Sequence, residues 1–215
     1  MRQTRILLAD DHTLFLDGLR KLLENDFELV GAVTNGRDLI EAAERLQPDV
    51  ILLDISMPML NGIDAARQLR QRGVRAKLLF VTMHGGTDYV KEAFRAGASG
   101  FVLKHSAGPE LVGAVHEVMR GNFYLSPLVS KDTLTTLIDP NQPVSARASG
   151  ELTMRQREVL QLVAEGHSAK SVADVLNISQ KTVEFHKASM MRQLGLHSTA
   201  ELIRYALSHG LTEKV

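Results

Sequence analysis

Short apolar runs alternate with amphipathic stretches along the first 120 residues of the chain. Within the runs, apolar residues follow one another with little polar interruption, which is typical of strands buried on both faces of a sheet. The runs cover residues 5–9, 28–33, 49–53, 77–82 and 100–103. Helical spacing recurs over residues 13–25, 36–46, 61–72, 87–96 and 109–120. Five such units predict a parallel sheet covered by helices, a doubly wound α/β domain with flavodoxin-like strand order 2-1-3-4-5.

A different pattern begins after residue 121, where the alternation of strands and helices stops. Ser126-Pro127 can begin a short helix that runs to about Ile138, and the following residues are rich in Pro, Ser and Gly, as in a flexible tether. Beyond this tether the spacing is helical throughout, and serine caps and glycine stops divide it into four helices. These are predicted near 153–165, 168–176, 179–194 and 198–209.

The predicted organisation is therefore an α/β domain at 1–121, a linker with a short helix at 122–149, and an all-α domain at 150–215. A length of 215 residues suits two small domains of this kind. The chain has no cysteine, which excludes disulfides and zinc–thiolate sites and suits a reducing compartment. With no apolar run near the roughly 18 residues of a membrane span, we expect a soluble, cytoplasmic protein.

Polar side chains stand at the carboxyl ends of the predicted central strands. Asp10 and Asp11 follow the first strand, Asp54 follows the third, Thr82 ends the fourth, and Lys104 follows the fifth. Ligands of doubly wound sheets bind at this edge, so these side chains should converge. Each residue alone could be an ordinary helix cap or surface charge, but five at the proper strands favour a site. Three carboxylates call for a cation, and oxygen ligands favour Mg²⁺ over zinc.

Four stretches of the first domain resemble the receiver domains of two-component response regulators: LLADDH, LLDISMPMLNGIDA, VTMH and GFVLKHS. The resemblance covers roughly residues 4–120. It implies that Asp54 is the phosphoacceptor. It also implies that Mg²⁺ (or Mn²⁺) is bound by Asp10, Asp11, Asp54 and the backbone carbonyl of Ser56.

The same resemblance implies which residues would change conformation on phosphorylation. Lys104 would pair with the phosphoryl group, and Thr82 would donate its hydroxyl to it and move inward. Phe101 would then fill the space behind Thr82. The family often has Tyr at this position, and an acidic residue is more familiar where this chain has His105. We interpret both departures as tuning rather than loss of function.

Residues 166–187 of the second domain predict a helix, a tight turn and a second helix, with the motif at about 168–187. One stripe of the second helix is apolar and should face the core. It consists of Val183, Met190 and Leu194, with Met191 beside it. Periodicity alone fits an ordinary helix of a four-helix bundle equally well. Phe185 argues against that reading, because an exposed aromatic on the polar side gains nothing in a monomer.

The segment from Leu152 to about residue 210 resembles the LuxR-type DNA-binding domain of the NarL/FixJ response regulators. The resemblance implies that helix 179–194 enters the major groove and that helix 168–176 braces it. Phosphates would be contacted by Lys170, Thr182 and Lys187, and base edges by Lys181, Glu184 and Phe185, with Ala188 and Arg192 on the same face. The last helix would be the dimer surface, with Leu202, Ala206 and His209 as candidates, although Leu202 equally fits the core.

The leading hypothesis is a phosphorylation-switched transcription regulator, and not an enzyme. Its partners would be a sensor histidine kinase, a second copy of the chain, a pseudo-palindromic DNA site and, as a candidate, RNA polymerase. One alternative is a phosphorylation-dependent protein-interaction switch that ignores DNA. Another is a metal-dependent phosphatase with Asp54 as nucleophile. That would need a general acid two residues on, where Ser56 is a poor one.

Overall fold

The computed structural model describes residues 2–129 and 152–212. The chain divides into two compact units, one formed mainly by residues before the segment 130–151 and the other mainly by residues after it. The predicted tether at 139–150, and most of the short helix predicted before it, lie outside the described residues. Among the helices that the structure describes, none combines the length and the apolar character needed to cross a membrane.

The first unit is a parallel α/β sheet with strand order β2-β1-β3-β4-β5-β6. Its strands are β1 (Arg5–Ala9), β2 (Glu28–Val33), β3 (Val50–Leu53), β4 (Lys77–Thr82), β5 (Gly100–Leu103) and β6 (Tyr124–Leu125). Its helices are α1 (Thr13–Leu23), α2 (Gly36–Leu46), α3 (Gly62–Gln71), α4 (Thr87–Arg95) and α5 (Ala107–Met119), with a 3-10 turn at Lys104–Ser106. The order predicted for the first five strands is confirmed. Residues of β3 are fully buried, as expected for a central strand under two helical layers.

Strand β6 departs from the prediction that strands end before residue 121. It pairs in parallel with β5, with Gly100 opposite Tyr124 and Phe101 opposite Leu125. The chain then turns at residues 127–129, so the helix predicted to begin at Ser126-Pro127 does not begin there. Two residues are too few to produce a recognisable strand pattern, and only their pairing with β5 makes them a strand.

Gly62 controls how closely α3 approaches the end of β3. A Cβ atom at this position would lie 1.9 Å from the Asp54 carbonyl oxygen and 3.2 Å from the Ile55 Cα atom. Both neighbours are backbone, which cannot turn aside as a flexible side chain would. The close packing of this turn therefore requires glycine, and it sets the position of Asp54.

We expect Gly62→Ala to destabilise the first unit by about 3 kcal/mol, because the added methyl group overpacks a rigid backbone contact. Chemical denaturation monitored by circular dichroism measures the change. Gly113→Ala is the matched control, since Gly113 is exposed within α5 and nothing lies within 4 Å of its added Cβ. That variant should be neutral or more stable by about 0.4–1 kcal/mol. Equal stability of both variants would contradict the prediction.

The second unit consists of α6 (Met154–Ala164), α7 (Ala169–Leu176), α8 (Gln180–Leu194) and α9 (Thr199–Ser208). Thr153 and Gln156 form the predicted capping box at the start of α6. The helices α7, α8 and α9 are each capped by a serine side chain. Gly166 and Gly195 adopt positive φ angles of 87° and 67°, and helices stop there as predicted. The core is formed by residues of all four helices, among them Val159, Leu162, Val172, Leu176, Val183, Met190, Leu202 and Ala206.

Candidate functional site

Carboxylates gather at the carboxyl edge of the sheet, as predicted from the strand ends. Asp10 follows β1 and Asp54 follows β3, and the two residues are only 2% and 3% exposed. Oxygen atoms of Asp10, Asp11 and Asp54 and a ring nitrogen of His12 all lie within 4.8 Å of one another. The parallel arrangement brings these groups together, because β1 and β3 are hydrogen-bonded neighbours in register from Ile6 and Val50 onward.

Lys104 enters the same cluster from the turn after β5. Its Nζ atom lies 2.7 Å from Asp54 Oδ2 and 2.7 Å from Asp10 Oδ2, and its side chain is 7% exposed. Burial alone would lower the pKa of Lys104, but the hydrogen bonds and charges of Asp10 and Asp54 outweigh it and raise that pKa. The lysine therefore stays protonated and bridges two carboxylates from separate strands.

The positive charge of Lys104 does not fully offset the effect of burial on the pKa of Asp10. Burial raises the pKa of Asp10 above its usual value, and the neighbouring charge of Asp54 adds to the effect, although hydrogen bonds from Lys104 and the His12 backbone oppose it. Oxygen-rich donors with uncompensated negative charge fit a hard divalent cation such as Mg²⁺. Asp10, Asp11 and Asp54 are the residues of this pocket that fit such an ion.

A buried serine pair holds the turn that carries Lys104. The Ser106 hydroxyl donates to the Leu103 carbonyl over 3.1 Å and lies 3.2 Å from the Ser126 hydroxyl. Ser126 in turn donates to Glu110 over 3.2 Å. These contacts join the turn to α5 and to the residue after β6. These contacts were not predicted, since nothing in the spacing of two serines 20 residues apart marks a pair.

Thr82 and Phe101, the predicted switch residues, are both buried completely. The Thr82 hydroxyl accepts a hydrogen bond from the His84 backbone N–H over 3.3 Å. Phe101 lies on β5 opposite Phe80 of β4, and the two rings stack at a centroid distance of 6.4 Å. The Phe101 ring is therefore packed against the neighbouring strand and covered from solvent.

Two histidines line the pocket without having been predicted there. His12 Nδ1 lies 3.2 Å from Asp10 Oδ1 and 3.0 Å from Asp11 Oδ1. His84 Nε2 lies 2.8 Å from the Ser56 hydroxyl, and the His84 ring stacks on Tyr89. Both histidines belong to motifs used for the resemblance, DDH and VTMH, so their positions were visible although their contacts were not.

In the second unit, α8 presents the face that the sequence assigned to DNA. Val183 and Met190 are fully buried as predicted, whereas Phe185 is 66% exposed. The face also carries the exposed residues Lys181, Glu184, Ala188 and Arg192 and the half-buried Thr182 and Lys187. Lys170 is exposed on α7. Phe185 is therefore an exposed aromatic side chain on an otherwise polar face, as the sequence predicted.

The brace between α6 and the helix-turn-helix was not predicted. Arg155 Nη2 donates to the Leu176 carbonyl over 2.6 Å, at the end of α7, and Nη1 donates to Glu158 over 2.7 Å.

Burial lowers the pKa of His186 on α8, and the positive charge of Arg155 lowers it further. His186 therefore contributes less positive charge to the α8 face than a free histidine would.

The predicted dimer surface needs correction at two positions. Leu202 and Ala206 are fully buried within the core of the second unit, because α9 packs against α6. Neither side chain has surface left for a partner. His209, the third candidate, is exposed and stacks on Tyr205 at a centroid distance of 3.9 Å. The periodicity of α9 revealed an apolar face but not what covers it.

A doubly wound sheet with this acidic pocket, followed by a four-helix unit with a helix-turn-helix, defines the class of DNA-binding two-component response regulators. The model of the response regulator receiver domain matches residues 6–116. The model of bacterial regulatory proteins of the luxR family matches residues 150–206. The chain belongs to the family of response regulators that combine these two domains, whose members regulate transcription and are not enzymes.

Relatives and solved structures agree with this membership. The chain is 35% identical over 213 residues to the transcriptional regulatory protein MctR of Rhizobium johnstonii, covering 98% of this chain and 96% of MctR. It is 33% identical over 198 residues to the nitrate/nitrite response regulator protein NarL of Escherichia coli K12, covering 91% of each. The structure of Salmonella enterica RcsB bound to promoter P1flhDC with the phosphomimetic BeF3⁻ matches with a TM-score of 0.59 and 26% identity, over 98% of this chain and all of that one.

Proposed function

We propose that Asp54 accepts the phosphoryl group in this response regulator and that the resulting change controls binding of α8 to promoter DNA. The observation that carries the proposal is the Lys104 ammonium, which lies 2.7 Å from both Asp54 and Asp10. A buried cation placed between the acceptor and a second carboxylate is what a transferring phosphoryl group requires, because negative charge accumulates on its oxygens.

Asp54 would act as the nucleophile. One of its oxygens attacks phosphorus in line, a new O–P bond forms, and the bond from phosphorus to the donor histidine of a sensor kinase breaks. Lys104 neutralises charge on the phosphoryl oxygens. Asp10, Asp11, Asp54 and the Ser56 carbonyl would hold Mg²⁺ or Mn²⁺, which supplies further charge neutralisation when bound.

Phosphorylation would change the positions of two buried residues next to the pocket, Thr82 and Phe101. Thr82 ends β4, the strand next to the one that Asp54 follows, and its hydroxyl accepts a 3.3 Å hydrogen bond from the His84 N–H. A phosphoryl oxygen on Asp54 would accept a hydrogen bond from that hydroxyl. Phe101 lacks a hydroxyl of its own, so the packing of its ring, rather than a hydrogen bond, would hold it inward.

DNA would be read by α8 in the major groove, with Lys181, Glu184 and Phe185 toward base edges and Lys170, Thr182 and Lys187 toward phosphates. Ala188 and Arg192 would extend the same face. A single small helical unit gives limited affinity and specificity, and two copies on a pseudo-palindromic site overcome this. His209 and the exposed side of α9 are where a second copy would pack. Because the family is bacterial, such a regulator would act in the cytoplasm, with RNA polymerase as a candidate partner.

We expect beryllofluoride, added with Mg²⁺, to shift the full chain from monomer to dimer and to raise its affinity for promoter DNA at least tenfold. Light scattering measures the first change, and titration of fluorescent promoter and scrambled fragments measures the second. Asp54→Ala is the control, and beryllofluoride with Mg²⁺ should change neither its oligomeric state nor its affinity for DNA. A monomer on target DNA under activating conditions would contradict dimerisation. Equal, weak binding to promoter and scrambled DNA would favour the protein-interaction alternative.

A further inference from the structure

Phe15 is an aromatic residue at the pocket whose contact the mechanism above does not use. It lies on α1, partly buried against the core of the first unit. The Lys104 Nζ atom lies over its ring, 4.8 Å from the ring centroid. A cation at this distance over a ring face is attracted by the electron density of the ring, most strongly where water is excluded. The 7% exposure of the Lys104 side chain meets that condition.

The other contacts of the Lys104 ammonium do not stay constant during phosphoryl transfer. Asp54 is an anionic partner only until its oxygen forms the bond to phosphorus. Asp10 is also a candidate ligand of the divalent cation, which would compete with Lys104 for its charge. The Phe15 ring is neutral and takes part in neither process, so it can keep holding the ammonium when the ion pairs with Asp54 and Asp10 weaken, and its contribution is then greatest.

We propose that Phe15 is a positioning residue for phosphoryl transfer: its ring face holds the Lys104 ammonium at the pocket while the carboxylate partners of the lysine change. The role rests on the proposed function, in which Asp54 is the acceptor. A neutral ring suits this role better than a third carboxylate would, because the ring carries no net charge that would repel the negatively charged phosphoryl group.

The test compares Phe15→Leu, which keeps an apolar side chain but loses the ring, with Phe15→Tyr, which keeps the ring. The measurement is the rate of Asp54 labelling by acetyl phosphate with saturating Mg²⁺, in the full chain. Phe15→Leu should slow labelling roughly three- to thirtyfold, the range of a buried cation–π contact. Phe15→Tyr should restore the rate to within about twofold. Leu22→Val, at another partly buried position of α1, controls for altered packing and should label at the normal rate.

A double-mutant cycle separates positioning from general packing. In the Lys104→Met background, Phe15→Leu should have no further effect on residual labelling, because the cation on which the ring acts is gone. An equal slowing in both backgrounds would show a packing role and overturn the proposal, as would a normal rate in Phe15→Leu. Thermal unfolding of each variant identifies any loss of fold. If Phe15→Leu is unfolded, the labelling rate of Phe15→Tyr tests the proposal instead, and a rate far below normal in that folded variant would overturn it. Absence of Asp54 labelling in the unsubstituted chain would instead overturn the proposed function, and this role with it.

Discussion

Replacing Asp54 with alanine is expected to abolish phosphorylation by acetyl phosphate, with incorporation of label falling to background. The physical reason is that Asp54 is the carboxylate paired with Lys104 at the centre of the cluster, with its other oxygen accepting the Ile55 N–H over 2.6 Å. Intact-protein mass spectrometry measures the added phosphoryl mass directly. Chelation of Mg²⁺ by EDTA should have the same effect on the unsubstituted chain.

Two control variants sharpen this experiment. Asp64→Ala removes another buried carboxylate, which pairs with Arg67 on α3 rather than with Lys104, and should still be labelled. Lys104→Ala should fold and retain slow labelling, but phosphorylation should no longer raise DNA affinity. Stoichiometric labelling of Asp54→Ala would reject the assignment and direct the search to the remaining carboxylates of the pocket.

Loss of the Phe185 ring is expected to weaken binding by roughly 1–3 kcal/mol at one or two base pairs, with little change in salt dependence. The ring is 66% exposed, so Phe185→Ala should unfold at the same temperature as the unsubstituted chain. The ring is uncharged and displaces no counterion from DNA. Affinities for single-base variants of the site, measured at several salt concentrations, separate the two effects.

Lys187→Ala should show the opposite behaviour, with weaker binding on all sequences and a salt slope lower by about one unit. The structure adds a constraint, since Lys187 is half-buried and its Nζ lies 3.4 Å from Glu184 Oε1. Glu184→Gln should therefore strengthen nonspecific binding, because it removes a competitor for the lysine. Lys21→Ala, which removes an exposed charge of the first unit, is the control and should leave the salt slope unchanged. A base-specific loss for Lys187→Ala would assign the lysine to base reading instead.

The pocket shows how far sequence reasoning reaches. The apolar runs predicted the parallel sheet, and the sheet predicted that Asp10, Asp54 and Lys104 converge, since strand ends meet at one edge. The same reasoning did not reveal Phe15, His12 or His84 as neighbours of these groups. Their contacts depend on side-chain rotamers and on the path of the loops, which hydrophobic periodicity does not encode.

Strand β6 and helix α9 show where the sequence leaves the answer open. Tyr124 and Leu125 form a strand because the edge of β5 offers unpaired backbone groups, and no local preference of two residues could predict that. On α9, the spacing of Leu202 and Ala206 marks an apolar stripe. Whether a partner or the chain itself covers such a stripe depends on packing, and here α6 covers it.

The sequence by itself determined a doubly wound sheet with the order of its first five strands and the helix caps, and it supplied the candidate residues for phosphoryl transfer and DNA contact, because these follow from periodicity and short motifs. The tertiary structure decided the distances that make those residues a site. It placed Lys104 between two carboxylates and over the Phe15 ring, and it left Phe185 exposed while burying Leu202. Such outcomes depend on contacts between segments far apart in the chain, and close packing in the folded core selects them.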